Sequence, residues 1–244
     1  MRPTTRERLR VLFSVATLLS IAALTACGGG SSETPAPPPP PAAPASTNIN
    51  AAYLAAMRQT HTYELAGPTS AGVNVSASLS IAPGAAATYN GISYDTTTLT
   101  TTVTVAGSPA STAVTTLWLQ PASSVLVFET SSSNASCLYV SSQSALPVTA
   151  TVGQAGPYIT ATRYPGCTVP GTVYVSIGTV TQTWSYTSVS GIGFACLTTS
   201  DAQALGTSTE QDCFEVTDAN GSLGSRARVT IRDLDGVTTT LATH

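Results

Sequence analysis

The chain has no lysine, only two histidines and few charges of either sign. All nine basic residues are Arg, and charged side chains make up 9% of 244 residues, against roughly 25% in an ordinary soluble domain. Its surface must therefore be built from Ser, Thr, Asn and Gln, which exert little electrostatic pull on distant partners. Four of the Arg (Arg2, Arg6, Arg8 and Arg10) stand in the first ten residues, leaving five in the rest of the chain against eleven acids. Nucleic-acid binding needs clustered cations that displace counterions from phosphates, so this composition excludes it.

Scarce histidine also limits the chemistry. A hydrolytic triad needs a positioned imidazole; the chain offers His61 and its last residue, His244, and it has no Gly-x-Ser-x-Gly. No Cys-x-x-Cys or His cluster points to a metal site or cofactor. Asp212, Glu215 and Asp218 lie close enough in sequence to suggest the paired acids of a glycosidase. On a strand, however, Glu215 faces away from Asp212 and Asp218. Asp218-Ala219-Asn220-Gly221 and Asp233-Leu234-Asp235-Gly236 each contain half of a calcium loop without the closing bidentate Glu, and they read as turns. No catalytic residue is nominated, and the chain is not expected to be an enzyme.

What is present begins with the N-terminus. The basic residues 1–10 run into Val11–Leu24, which carries no charge. This is the secretory n-region and h-region pattern, too short for a comfortable bilayer span of about 20 residues. The run ends in Leu24-Thr25-Ala26-Cys27 followed by three glycines, a motif that resembles the lipobox of bacterial lipoproteins. The resemblance implies diacylation of Cys27, loss of residues 1–26 as signal peptide, and membrane attachment at the cell envelope. Gly28 in place of Asp after the cysteine implies sorting to the outer membrane. Residues 27–50 are rich in Gly, Ser, Pro and Ala with Pro37–Pro41 unbroken, a semi-rigid polyproline tether.

Residues 51–244 are expected to form one domain. With Cys27 acylated, Cys137, Cys167, Cys196 and Cys213 remain, an even set suited to two disulfides in an exported chain. Three connectivities are open. Consecutive hairpins favour Cys137–Cys167 with Cys196–Cys213.

One short helix is predicted over Asn50–Arg58, with Asn48 or Asn50 as N-cap. After it the chain reads as strands. Val73, Val75, Ala77, Leu79 and Ile81 alternate with Asn and Ser, a period of two that puts every apolar group on one face. Further strands are expected over Leu99–Val105, Ala113–Leu119, Val125–Glu129, Val148–Val152, Tyr158–Arg163, Thr172–Ile177 and Val180–Tyr186. A C-terminal meander follows over Asp212–Asp218, Ser225–Asp233 and Val237–Thr243. In it, a two-residue Asn220-Gly221 loop sets Glu215 beside Arg226, and Leu234-Asp235-Gly236 sets Val229 opposite Leu241 and Ile231 opposite Thr239. The fold class is mainly β: an antiparallel meander forming a sandwich, barrel or curled sheet.

Arg226, Arg228 and Arg232 share an outward face and are the one candidate contact for an anionic ligand or partner. Tyr53, Tyr63, Tyr89, Tyr94, Trp118, Trp184 and Tyr186 could line a sugar or lipid site, although core packing explains them as well. Tyr53–Gly67 is also faintly similar to the start of curled-sheet envelope lipoproteins that shelter acyl chains. The expected function is a membrane-anchored, non-enzymatic binding or structural domain whose partner is an envelope protein, glycan or lipid. A carrier of hydrophobic ligands and an envelope hydrolase are the alternatives.

Overall fold

The computed structural model describes residues 42–243 apart from 90, 122, 124, 132–135 and 166–174. The expected signal segment, the expected lipobox with Cys27, the Pro37–Pro41 run, Cys167 and His244 lie outside these residues. So does residue 172–174 of the strand expected at Thr172–Ile177; its remainder, 175–177, is not strand.

The structure is an antiparallel β-barrel closed on itself. The chain runs β1 (Ser46–Thr47), α1 (Ile49–Arg58), β2 (His61–Pro68), β3 (Asn74–Pro83), β4 (Ala87–Tyr89), β5 (Ile92–Val105), β6 (Ser111–Leu119), β7 (Leu126–Ser131) and β8 (Ser136–Gln143). It continues with β9 (Ala150–Thr151), β10 (Ala155–Pro165), β11 (Gly178–Val189), β12 (Ile192–Gln203), β13 (Gly206–Val216), β14 (Leu223–Arg232) and β15 (Thr238–Ala242). Twelve strands form the ring in the order β3-β2-β15-β14-β13-β12-β11-β10-β8-β7-β6-β5, and β5 pairs back onto β3 to close it. β4 is an extra short strand on β5, and β1 pairs only with β9.

Alternation explains which way each strand faces. Val75, Ala77, Leu79 and Ile81 of β3 are buried while Asn74, Ser76, Ser78 and Ser80 point away from them. The buried set joins Leu65, Leu117, Leu138, Ala161, Val180, Phe214 and Leu241 in one core cluster inside the ring. Eight strands enclose a lumen that side chains alone can fill. A ring of twelve is wider, and here the helix supplies the difference.

Ile49, Ala52, Tyr53, Ala56 and Met57 fall on one stripe of α1 and are all buried in that same cluster. Asn48 caps the helix, accepting from the Ala51 amide at 2.9 Å. The N-terminal end is tied to turns of the barrel by Asn48 N–H to Ala219 O and Asn50 N–H to Pro147 O, each 3.1 Å. At the other end Thr97 Oγ1 donates to Met57 O at 2.7 Å, and Arg58 pairs with Asp95 at 3.4 Å. All these partners lie at one end of the barrel, called the lower end, across which α1 forms a floor.

Several sequence expectations hold in detail. Val229 pairs with Leu241 and Ile231 with Thr239, and Gly236 takes the left-handed conformation at φ 82°. Other elements differ. β2, β8 and β12 were not predicted, and Val148–Val152 shrinks to the two residues of β9 because Val148 and Val152 are solvent-exposed. The loop between β13 and β14 is four residues, Asp218–Gly221, rather than two. Thr217 N–H bonds to Ser222 O, and the Asp218 carboxylate accepts from Asn220 N, Ser222 N and Ser222 Oγ. A bulge between Phe214 and Val216 absorbs the extra length, so Glu215 still meets Arg226, at 3.3 Å.

Candidate functional site

Above the floor the barrel wall turns polar on its inner face. Glu129 pairs with Leu117 and Leu138, Asp201 with Val180, and Asp212 with Leu197 and Val229. Those apolar partners all belong to the core or pack against it, so their cross-strand neighbours face the lumen too. Glu210, two residues from Asp212, does the same. The barrel thus brings together four carboxylates from β7, β12 and β13, with Arg163 of β10 opposite Leu138.

Arg163 is the local counter-charge. Its Nε lies 3.2 Å from Asp201 Oδ2, and its Nη1 donates to Ser136 Oγ at 2.9 Å. Gln203 Nε2 also donates to Asp201 Oδ2. Asp201 Oδ1 is shielded from solvent and has no hydrogen-bond partner among the described residues. Glu210, although it faces inward, is solvent-exposed, and Asp212 is half-exposed, so water reaches this part of the lumen from the upper end.

Three of these carboxyls, those of Glu129, Glu210 and Asp212, have raised pKa values. Burial within the wall is the main cause for Glu129, whose pKa is raised; Arg163 opposes the rise, while Glu210 and Asp201 add to it. Glu210 is raised as well, by desolvation of its carboxyl among the lumen side chains although the residue stays open to water at the upper end. Asp212 is raised well above the usual carboxylate range, by burial first and then by the Glu210 charge. Below them, burial raises the pKa of Tyr53, whose ring sits edge-on to that of Tyr158 at 5.5 Å. Gln143 Nε2 donates to the Tyr158 hydroxyl at 2.9 Å.

This wall can hold protons and attract cations. Among the described residues no group of three or more His, Cys, Asp or Glu is placed to hold a metal ion. Beside α1, a cavity of about 20 Å³ is lined by Ala52, Tyr53, Met57, Leu197, Phe214 and Leu223, room for about one water molecule.

Comparison of the chain with protein-family models, with curated proteins and with solved structures finds no match in any of the three. Its chemistry must therefore be argued from these side chains alone.

The residues singled out by sequence are dispersed. Arg226, Arg228 and Arg232 do share the outer face of β14, away from the lumen, but Arg226 is already engaged by Glu215. Glu215 is buried on the outside of β13 against Gly224, where a Cβ would collide with its carboxylate. Asp212 faces inward, Glu215 outward, and Asp218 is used up in its turn. His61 stacks on Tyr63 and lies 3.2 Å from Ala55 O, a packing role.

Cys196 and Cys213 are directly opposed on β12 and β13 and form a disulfide on the outer face. Cys137 is also disulfide-bonded, while the expected Cys137–Cys167 pairing lies outside the described residues at Cys167.

The aromatics divide into two sets. Tyr53, Tyr63 and Tyr186 belong to the inner core, with Trp184 packed against it. Tyr94, Trp118, Phe128, Tyr139 and Tyr164 form a ladder across the outer wall from β5 to β10. Trp118 stacks on Phe128 at 4.7 Å and Phe128 on Tyr139 at 5.8 Å. Tyr89 of β4 folds over the ladder, 4.6 Å from Phe128, and its hydroxyl bonds to that of Tyr139 at 3.1 Å. Phe128 and Tyr94 are consequently buried on the outside of the barrel.

Proposed function

We propose that the chain is a lipid-anchored envelope lipoprotein, attached through Cys27, whose barrel is a non-enzymatic binding module. The observation that carries this reading is where the chain joins the barrel. Ala43 N–H bonds to Gly191 O in the β11–β12 turn, β1 lies against β9, and α1 crosses the lower end. An anchor upstream of residue 42 therefore joins the barrel at the end that the helix floors.

Wall polarity supports a barrel that stands in water. Outward positions on β3 are Asn and Ser, and on β11 they include exposed Thr179, Thr181 and Thr183. On a barrel embedded in lipid these outward positions would carry apolar side chains. Among the described residues, no helix is long and apolar enough to cross a membrane.

The carrier alternative is less well supported. Ligand pockets usually span about 300–1,000 Å³, whereas the apolar cavity beside α1 holds about 20 Å³. The reading is tested by expressing the chain and a Cys27→Ala variant in a bacterium fed a radiolabelled fatty acid. Label and membrane association are expected for the first and absent for the second. A membrane-bound Cys27→Ala protein, or an unlabelled parent, would overturn the anchor.

A further inference from the structure

Three neighbouring connections at the upper mouth carry exposed aliphatic side chains. Val175 is 80% exposed and Ile177 42%, just before β11; Leu205 is 62% exposed in the β12–β13 turn, and Leu234 36% in the β14–β15 turn. They are contiguous. Gly178 pairs with Gln203 and Gln203 with Gly206, so Ile177 sits beside the Leu205 turn. The Leu234 side chain lies 3.7 Å from where a Cβ on Gly206 would stand.

Acids surround this lip. Glu210 faces the lumen beneath it and is exposed, and Asp233 and Asp235 occupy the Leu234 turn itself. Asp233 is partly committed, since its Oδ1 accepts from Asp235 N and Val237 N. Two cations stand near: Arg163, opposite Gly178 at the level of the lip, is engaged by Asp201, and Arg232, exposed beside Asp233, lies on the outer face of β14, so the acids Asp201, Glu210, Asp233 and Asp235 outnumber them. An apolar lip with anionic surroundings complements a partner that is apolar along one side and positively charged beside it.

We infer that the upper mouth, along the lip of Ile177, Leu205 and Leu234 above Glu210, docks a cationic amphipathic protein segment. The width selects a segment over a small amine. Tops of four adjacent strands spaced about 4.8 Å apart span about 15 Å, the length of roughly ten helical residues. This rests on the binding-module reading of the barrel and not on the anchor, so the two fail separately: a membrane-bound Cys27→Ala chain sinks the anchor and leaves the lip in place.

The test titrates the full chain into a fluorescein-labelled synthetic helix of Leu and Lys, with its Leu/Glu counterpart and spermine as controls, reading fluorescence anisotropy. Saturable binding of the Leu/Lys peptide is expected, weakened about tenfold or more when Leu205→Ser and Leu234→Ser are combined. Glu210→Gln should weaken it and reduce its salt dependence. Circular dichroism melts of each variant establish that the barrel is intact. The inference is overturned if the Leu/Glu peptide binds equally well, if spermine displaces the peptide completely at equal charge, or if intact lip variants bind unchanged.

Discussion

Replacing two glycines with alanine separates the contact between helix and barrel from ordinary turn strain. Gly221 and Gly236 close the turns after β13 and β14, and both have left-handed backbones, at φ 86° and 82°. A Cβ on Gly236 would meet nothing within 4 Å. One on Gly221 would fall onto the Asn48 carbonyl oxygen and come within 2.8 Å of the Ala52 nitrogen, both backbone atoms of the helix N-terminus. Gly236→Ala therefore carries only the conformational penalty of a non-glycine residue at positive φ, about 1–2 kcal/mol. Gly221→Ala carries the same penalty and must also push the helix off its seat, adding about 1–3 kcal/mol by analogy with overpacked cores. Urea unfolding with the disulfides intact reads the difference as a shift in midpoint at constant slope. Equal destabilisation by the two substitutions would refute the docking of α1 on the β13–β14 turn. With it would go the assignment of the lower end as the floored one.

Three further outcomes are expected. Because Glu129, Glu210 and Asp212 have raised pKa values, the folded barrel keeps protons that the unfolded chain releases above about pH 4. Stability contributed by these groups is present at low pH and lost as pH rises through their folded pKa values, so the thermal midpoint should fall from pH 5 towards pH 8. Asp212→Asn should flatten that slope, and a midpoint that climbs over the same range would contradict the inward placement of the acids. Tyr186→Phe removes the hydroxyl that donates to Pro44 O at 2.6 Å. It should cost about 0.5–1.5 kcal/mol and speed hydrogen exchange at the Ala43 amide; unchanged exchange would show that Tyr186 does not hold the incoming chain. Asn48→Ala should destabilise by about 0.5–2 kcal/mol while Asn48→Ser stays near the parent, and equal losses in urea melts would mean that the cap is not the source of the effect.

Much of the wall was legible because one face is apolar and the other Ser, Thr or Asn. β3 shows this pattern without interruption, and the β14–β15 hairpin was readable to the residue because Gly236 and the position of Asp233 fix the loop. β12 was missed for a physical reason. Phe194 and Cys196 face outward, where they cluster with Cys213, while Ala195 and Leu197 face inward, so apolar residues occupy both faces and the alternation disappears. β2 was obscured by Glu64 and Gly67, and β8 by the run Ser141-Ser142-Gln143. Barrel closure has no local signal at all: it depends on β5 pairing with β3 after the β4 excursion, and on a helix large enough to fill the floor.

The candidate site was invisible for a related reason. A carboxylate on a strand reads as an outward residue, and an aromatic as an inward one. This barrel reverses both rules, with Glu129, Asp201, Glu210 and Asp212 within and the Trp118–Phe128–Tyr139 ladder without. The two reversals meet on β7, where Phe128 and Glu129 are adjacent and necessarily point to opposite sides of the wall. Sliding β7 by one residue would hide the acid's neighbour in the lumen but expel Glu129 into the aromatic layer. The ladder beneath β4 therefore fixes the register that holds Glu129 inward. Outer packing and inner charge are two faces of one constraint, which makes the ladder a structural support for the acidic lumen.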